Sequence, residues 1–132
     1  MKAFNDALIE EWRANEGRLS GRMAGRNLIL LTTIGAVSGE KRTTVVGYGR
    51  YGEKLVAIAS NNGGPEHPAW YRNLLADSIA TVELGAEKFE VSARTAKPEE
   101  REELAKAVPY LEGQQKLTER EIPIVVMERI EI

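Results

Sequence analysis

At 132 residues, with 42% hydrophobic and 29% charged side chains, the chain is long enough to bury one real core and too short for two. Its net charge of −2 excludes general nucleic-acid binding, which needs a basic surface. The absence of cysteine removes disulfides, thiolate metal sites, Fe–S clusters and cysteine nucleophiles, and a lone histidine, His67, leaves no multi-histidine site, so no metal is expected.

Residues 3–16 read as an amphipathic helix, because Phe4, Leu8 and Trp12 recur every four residues between charged positions. That narrow stripe would serve a membrane surface or the rest of the fold equally well. The start of the chain lacks the apolar core of a signal peptide, and no apolar run reaches membrane-spanning length. A cytoplasmic location is the default expectation, with peripheral membrane contact through this helix left open. Gly17 and Gly21 then loosen the chain, and Arg18, Arg22 and Arg26 follow with no acid among them. These cations read as a solvated linker or as a contact for an acidic tail or membrane surface. The whole chain, 1–132, is expected to form a single domain, with the helix and basic linker occupying about residues 1–27.

From Leu28 the pattern changes to strands: Leu28–Thr33, Thr43–Tyr48 and, after a turn at Tyr51-Gly-Glu-Lys54, Leu55–Ala59. Residues 67–76 read as a helix opened by Pro68, whose fixed φ suits a first helical position. Strands at 79–84 and 88–95 flank a hairpin turn at Gly85-Ala86. A charged helix over 98–108 and a strand over 122–130 complete the chain. These are about six strands joined by connections too short for a doubly wound parallel sheet, so a mainly β, antiparallel barrel with flanking helices is expected. Gly47-Tyr-Gly-Arg-Tyr-Gly52 matches the dinucleotide fingerprint G-x-G-x-x-G, but it leads from strand to strand rather than from strand to helix.

Two loops carry the chemistry. Gly35-Ala-Val-Ser-Gly-Glu-Lys-Arg-Thr43 joins small residues to two adjacent cations, Lys41 and Arg42, and free backbone N–H groups beside a guanidinium suit an anion. Taken alone, Arg42 reads equally well as a chance cation on a surface hairpin. Ala59-Ser-Asn-Asn-Gly-Gly-Pro-Glu-His-Pro-Ala-Trp70 offers side-chain amides, open backbone and the flat wall of Trp70 at a helix start. His67 reads as a helix N-cap or exposed polar residue, or as a general base. No serine sits in a nucleophile-elbow setting, and Glu99-Glu-Arg-Glu-Glu103 is a solvated helix start favoured by the helix dipole. Together the two loops point to a site for a planar, anionic cofactor.

The same residues resemble the deazaflavin-dependent nitroreductase family of actinobacteria, within the flavin/deazaflavin oxidoreductase superfamily. The resemblance rests on Leu31-Thr-Thr with Gly35, Ser38-Gly39, Arg42-Thr43, Ala59-Ser60, His67-Pro-Ala-Trp-Tyr71 with Asn73-Leu74, and Arg120-Glu-Ile-Pro-Ile-Val-Val126. It implies a split β-barrel of the FMN-binding type and coenzyme F420, a deazaflavin bearing a phosphate and a polyglutamate tail. It also implies transfer of a hydride from the reduced coenzyme to a small hydrophobic acceptor, a quinone, an enone or a nitroaromatic. By position, Ser38, Gly39, Lys41 and Arg42 would hold the phosphate region, and Val45, Val46 and Gly47 would line the ring. Ala59, Ser60, Asn61, Asn62 and Gly63 would meet its polar edge through backbone N–H groups, and Ala69 and Trp70 would close the other side. Ser60 is the candidate for a catalytic polar contact, Tyr110 and Gln114 fall in the substrate pocket, and the N-terminal arginines would meet the glutamate tail. The chain departs from the family pattern at Ala36 and Val37, where a basic pair is usual, and at Gln114, where nitro-reducing members carry a tyrosine. The alternatives are a non-catalytic barrel carrying a flavin, fatty acid or other apolar ligand, and an FMN enzyme. The assembly is expected to be a monomer or a homodimer.

Overall fold

The computed structural model describes residues 2–20 and 26–130, apart from the side chains of residues 2–5 and Asn62. Gly21 and Arg22 of the expected basic linker, and the side chain of Phe4, lie outside the described residues. The elements run α1 (Lys2–Ala14), β1 (Leu28–Ile34), β2 (Lys41–Gly47), β3 (Gly49–Tyr51), β4 (Lys54–Ile58), α2 (Ala69–Ala76), β5 (Ile79–Leu84), β6 (Glu87–Thr95), α3 (Arg101–Ala105), α4 (Leu111–Gln115) and β7 (Ile124–Arg129). The strands form one antiparallel sheet in the order β2-β1-β5-β6-β7-β4-β3. It curls so that β2 approaches β4 without pairing to it. This is the expected split barrel.

Seven strands form where about six are expected. The extra one is β3, three residues long, which pairs with β4 through Gly49↔Val56 and Tyr51↔Lys54. It occupies the stretch between the expected second and third strands. The glycines of the false dinucleotide fingerprint find other uses here. A Cβ on Gly49 would overlap the Ala107 carbonyl, and Gly52 turns the β3–β4 hairpin at φ 62°. The charged helix expected over 98–108 shortens to a 3-10 turn at Pro98–Glu100 followed by α3, and α4 is an additional short helix.

Burial follows the apolar patterning. In β1, Ile29 and Leu31 face the barrel interior, whereas Leu28 and Leu30 pack beneath α1 against Trp12. In β4 and β7, Leu55, Ala57, Val125 and Met127 point inward, and Val56, Ile58, Ile124 and Val126 pack beneath Leu104, Val108 and Leu111. Strands covered on both faces need unbroken apolar runs, which is why these three read as continuous hydrophobic strings. In β6, Val91 and Ala93 are buried while Glu90 and Ser92 are exposed, the alternation of a strand covered on one face. Trp12, 3% exposed, belongs to this packing, so the helical stripe serves the barrel at that position. No helix of the described residues is long and apolar enough to cross a membrane.

The connection from β6 into α3 is fixed by charge. Arg94 forks onto both carboxylate oxygens of Glu100, and the Lys97 N–H donates to the same carboxylate at 2.8 Å. The Arg94 guanidinium, then the Lys97 amide, hold the Glu100 carboxyl at a pKa of about 2 against an ordinary 4.5. A carboxyl depressed on folding contributes stability above its unfolded pKa and loses it as pH falls through the folded value. The wild-type melting temperature should therefore fall between pH 4.5 and about 2. Glu100→Gln should flatten that segment of the acid profile; an unaltered profile would show that the contact is not made in solution.

Candidate functional site

The unpaired stretch between β2 and β4 opens into a groove of two joined lobes, which share Thr44, Asn61, Pro68 and Trp70. The first lobe, about 860 Å³, lies between the β1–β2 loop and the start of α2, and Ser38, Arg42, His67, Ala69 and Arg72 border it. The second, about 610 Å³, runs along Val45–Tyr48 to Ile58 and Ser60 and is bordered by Arg26, Tyr110 and Gln114.

The β1–β2 loop is a tight reversal. Gly35 N–H donates to Glu40 O at 2.7 Å, Gly39 N–H to Gly35 O at 2.9 Å, and Glu40 N–H to Ser38 Oγ at 3.2 Å. Asn73, buried on α2, anchors it: Oδ1 accepts from Ala36 N–H at 2.9 Å and Nδ2 donates to Thr33 Oγ1 at 3.0 Å. Among the described residues the N–H groups of Val37 and Ser38 have no acceptor. Arg42 pairs at 3.4 Å with Glu40, both ends largely exposed. The guanidinium of Arg72, in the first turn of α2, has no hydrogen-bond or ion-pair partner among the described residues. A cation so near a helix N-terminus opposes the helix dipole. Lys41 lies one residue out of phase with Arg42 on β2 and borders a separate recess beneath α1 with Asp6, Glu10 and Arg13; Arg42 reaches both. The structure brings Ser38 and Arg42 to the groove and does not bring Lys41 there. Gly39 turns the loop at φ 73°.

The second loop is held from behind by Arg120. Its Nε donates to Gly64 O at 3.0 Å, Nη1 to Ala59 O at 3.2 Å and Nη2 to Ser60 O at 2.7 Å. Nη1 also lies 2.9 Å from His67 Nδ1. Ser60 starts a 3-10 turn over Asn61–Gly63, with Asn61 at φ 50° and its Nδ2 donating to Glu66 O. A Cβ on Gly63 would collide with Leu117, so this position takes only glycine. The loop does not present all its amides. Ala59 N–H donates to Pro123 O at 3.0 Å and Gly63 N–H to Ser60 O at 2.9 Å, whereas those of Ser60 and Asn61 have no acceptor among the described residues. Of the sequence candidates, Ser60 and Asn61 border the groove; the Asn62 side chain lies outside the described residues.

Pro68 takes the N-cap position of α2 (φ −65°, ψ 153°), one residue ahead of the expected first helical position. Trp70 stands at the junction of the lobes and packs edge-on against Tyr71, with ring centroids 6.3 Å apart. His67 is half-buried with its edge to the Tyr71 ring at 5.0 Å. Burial, then the Arg120 and Arg72 guanidinium groups, push its pKa below the ordinary 6.5. Tyr110 reaches toward Gly47, whose missing Cβ would lie 3.5 Å from the phenol oxygen. Burial lifts the phenol pKa above 10.0, opposed in part by Arg26. Gln114 Oε1 is buried with no donor among the described residues. Asn73 and the role of Arg120 escape a reading of the sequence, because their partners lie far along the chain, and Arg72 escapes it because only the fold brings it to the groove. The signal for Arg72 is its sign, a cation where the helix favours an acid.

A family model described as F420H(2)-dependent quinone reductase matches residues 7–129. An F420H(2)-dependent quinone reductase of Mycobacterium tuberculosis is 32% identical over 127 residues, covering 89% of this chain and 85% of its own. A solved F420-H2 dependent reductase (FDR-A) is 34% identical at a TM-score of 0.68, covering 78% of this chain and 95% of that one. A solved domain-swapped dimer is 31% identical at a TM-score of 0.70, covering 93% and 98%.

Asn73→Ala leaves Ala36 N–H and Thr33 Oγ1 without their partner. It should destabilise the fold by about 1–3 kcal/mol, read by chemical denaturation. A loss within experimental error would mean that water replaces the amide and that the loop is not anchored through it.

Proposed function

The chain belongs to the F420H(2)-dependent quinone reductase family, and on that premise we propose that its groove holds coenzyme F420 and that the protein reduces quinones or related small apolar acceptors beside it. The observation that carries the reading is the cationic first lobe. Unpartnered Arg72 and weakly paired Arg42 stand around the open amides of Val37 and Ser38, a donor set that suits the phosphate of the coenzyme. When bound, the coenzyme supplies the hydride.

The residues present fit a planar anionic group. Trp70 gives a flat wall where the lobes meet, and Val46 and Gly47 give an apolar strand surface close to it. The Ser60 and Asn61 N–H groups supply donors for a polar ring edge, and Ser60 Oγ is the candidate for a further contact. Tyr110 borders the second lobe with its phenol pKa raised, so it keeps its proton through the neutral range and can donate to an acceptor oxygen. Gln114 Oε1, buried without a donor among the described residues, leaves a deficit of about 1–3 kcal/mol that a hydroxyl on the acceptor or its reduced product would relieve.

Titration of the protein with oxidised F420, followed by intrinsic fluorescence, should give micromolar or tighter binding. Adding a soluble quinone to protein and reduced F420 should then reoxidise the coenzyme. Failure to bind sinks the cofactor assignment; binding without reoxidation by quinones, enones or nitroaromatics sinks the reductase and leaves a carrier.

Arg72→Ala should weaken F420 binding by about tenfold or more, the value of one hydrogen bond to a charged group. Arg42→Ala should cost less, because Arg42 must first leave Glu40, an exposed pair worth about 0–1 kcal/mol. An unchanged dissociation constant in Arg72→Ala would remove the first lobe as the anion site.

A further inference from the structure

Arg120 and His67 form a contact that the reaction itself does not require. A guanidinium has only donors and stays charged at any working pH. At 2.9 Å from Arg120 Nη1, His67 Nδ1 can therefore only accept, which puts the proton of the neutral ring on Nε2. A second proton would place an N–H on Nδ1, facing the guanidinium donor for donor and cation for cation.

What Arg120 holds matters for the groove. It binds the carbonyls of Ala59 and Ser60 from outside the groove lining. In a trans peptide the carbonyl of one residue and the N–H of the next point in opposite directions. Fixing the Ala59 and Ser60 carbonyls on Arg120 therefore turns the N–H groups of Ser60 and Asn61 away from it, and these are the two amides of the turn that find no acceptor among the described residues. Both residues border the second lobe. Arg120 is a positioning residue for those donors, and His67 is its fourth contact.

We propose that the His67–Arg120 contact is a proton-sensitive latch: neutral His67 keeps Arg120 on the loop carbonyls and the Ser60 and Asn61 amides aligned, and protonation of His67 releases them. The charged and titratable groups around His67 favour this. Arg120 approaches from the segment before β7, and α2 contributes Arg72 and the edge-on Tyr71 ring. The next acid along the chain, Glu66, is exposed, and among the described residues no carboxylate bonds to His67. Among the described residues the charged groups that act on the ring are the Arg120 and Arg72 guanidiniums, both of which oppose a second cation. The sign follows from linkage. A histidine whose pKa is lowered on folding favours the neutral, latched state above its unfolded value of 6.5 and loses it as pH falls through the folded value.

The latch is testable without a ligand, and its effect on F420 binding rests on the function proposed above. In amide NMR spectra of the free protein from about pH 8 to about pH 5, the Ser60, Asn61 and Gly64 signals should shift together along one titration curve. In His67→Asn, whose Oδ1 can still accept from Arg120 but cannot titrate in this range, that curve should vanish. Signals that do not move in the wild type, or that titrate equally in His67→Asn, overturn the latch. For the coenzyme, the ratio of dissociation constants at about pH 5 and about pH 8 should exceed that of His67→Asn by about threefold or more. The ionisations of the coenzyme itself are common to both proteins and cancel. Equal ratios overturn the coupling to binding, whereas a wild type that never binds F420 overturns the proposed function and leaves the NMR titration to decide the latch.

Discussion

A sheet that curls without closing sets every other feature of this molecule. The edges of the sheet are β2 and β3, and joining β2 to β3 and to the uncovered end of β4 would satisfy the outward amides and carbonyls of β2 and make a closed barrel. It would also fill the space that now forms the groove. The open edge is kept apart by what stands at its ends: the β1–β2 loop on one side, the Ala59–Gly64 loop on the other, and α2 between them. The barrel interior and two helical covers supply the hydrophobic stabilisation. The split itself is glycine-rich and open, and it sets polar groups beside apolar walls such as Trp70 and Val46.

Loops of this composition have little apolar surface to bury, so packing cannot fix their shape. Each is held instead by one long-range polar side chain. Asn73 ties the first loop to α2 and to β1 through two hydrogen bonds, and Arg120 ties the second through three carbonyls. Both anchors meet at α2. Asn73 lies on it, His67 precedes it, and Trp70 projects from its first turn into the junction of the lobes. A movement of α2 therefore changes both lobes together. The half-buried bond between Tyr71 Oη and Thr95 Oγ1 at 2.7 Å holds the same helix against β6.

Much of this was legible in the residues. The doubly covered strands β1, β4 and β7 announce themselves as unbroken apolar runs, β6 as an alternating one, and the glycine-rich loops between them as the place for chemistry. The family resemblance carried the cofactor and the split-barrel topology, which local pattern alone leaves as an antiparallel barrel. What stayed hidden depends on partners far along the chain. Arg120 reads as one cation in a charged stretch until the fold brings it to Ala59, 61 residues away. Lys41 and Arg42 look like a pair in the sequence, yet only Arg42 reaches the groove, while both border the recess beneath α1. The amides of Ala59 and Gly63 look as open as those of Ser60 and Asn61, and only the hydrogen-bond pattern separates them. The three-residue strand β3 has too few residues to show a period.

The resemblance implies a basic pair where this chain has Ala36 and Val37, and the geometry shows what the loop asks of those two positions. Ala36 serves the loop through its backbone N–H to Asn73, so its side chain is free to vary without loosening the turn. Val37 is fully exposed and packs against nothing, so the fold makes no demand on it either. Neither substitution costs the scaffold anything; both remove charge from one wall of the first lobe. The opposite wall carries Arg72, on a helix turn where a cation is electrostatically unfavourable and where no acid pairs with it. Across the lobe from Ala36 and Val37, Arg72 adds positive charge from a helix to that of Arg42 at the start of β2. A guanidinium on α2 is better positioned than two loop cations would be, because its backbone is fixed by Asn73 and Tyr71 on the same helix. In the proposed reading, the charge that recognises the anion has changed sides and remains in the lobe.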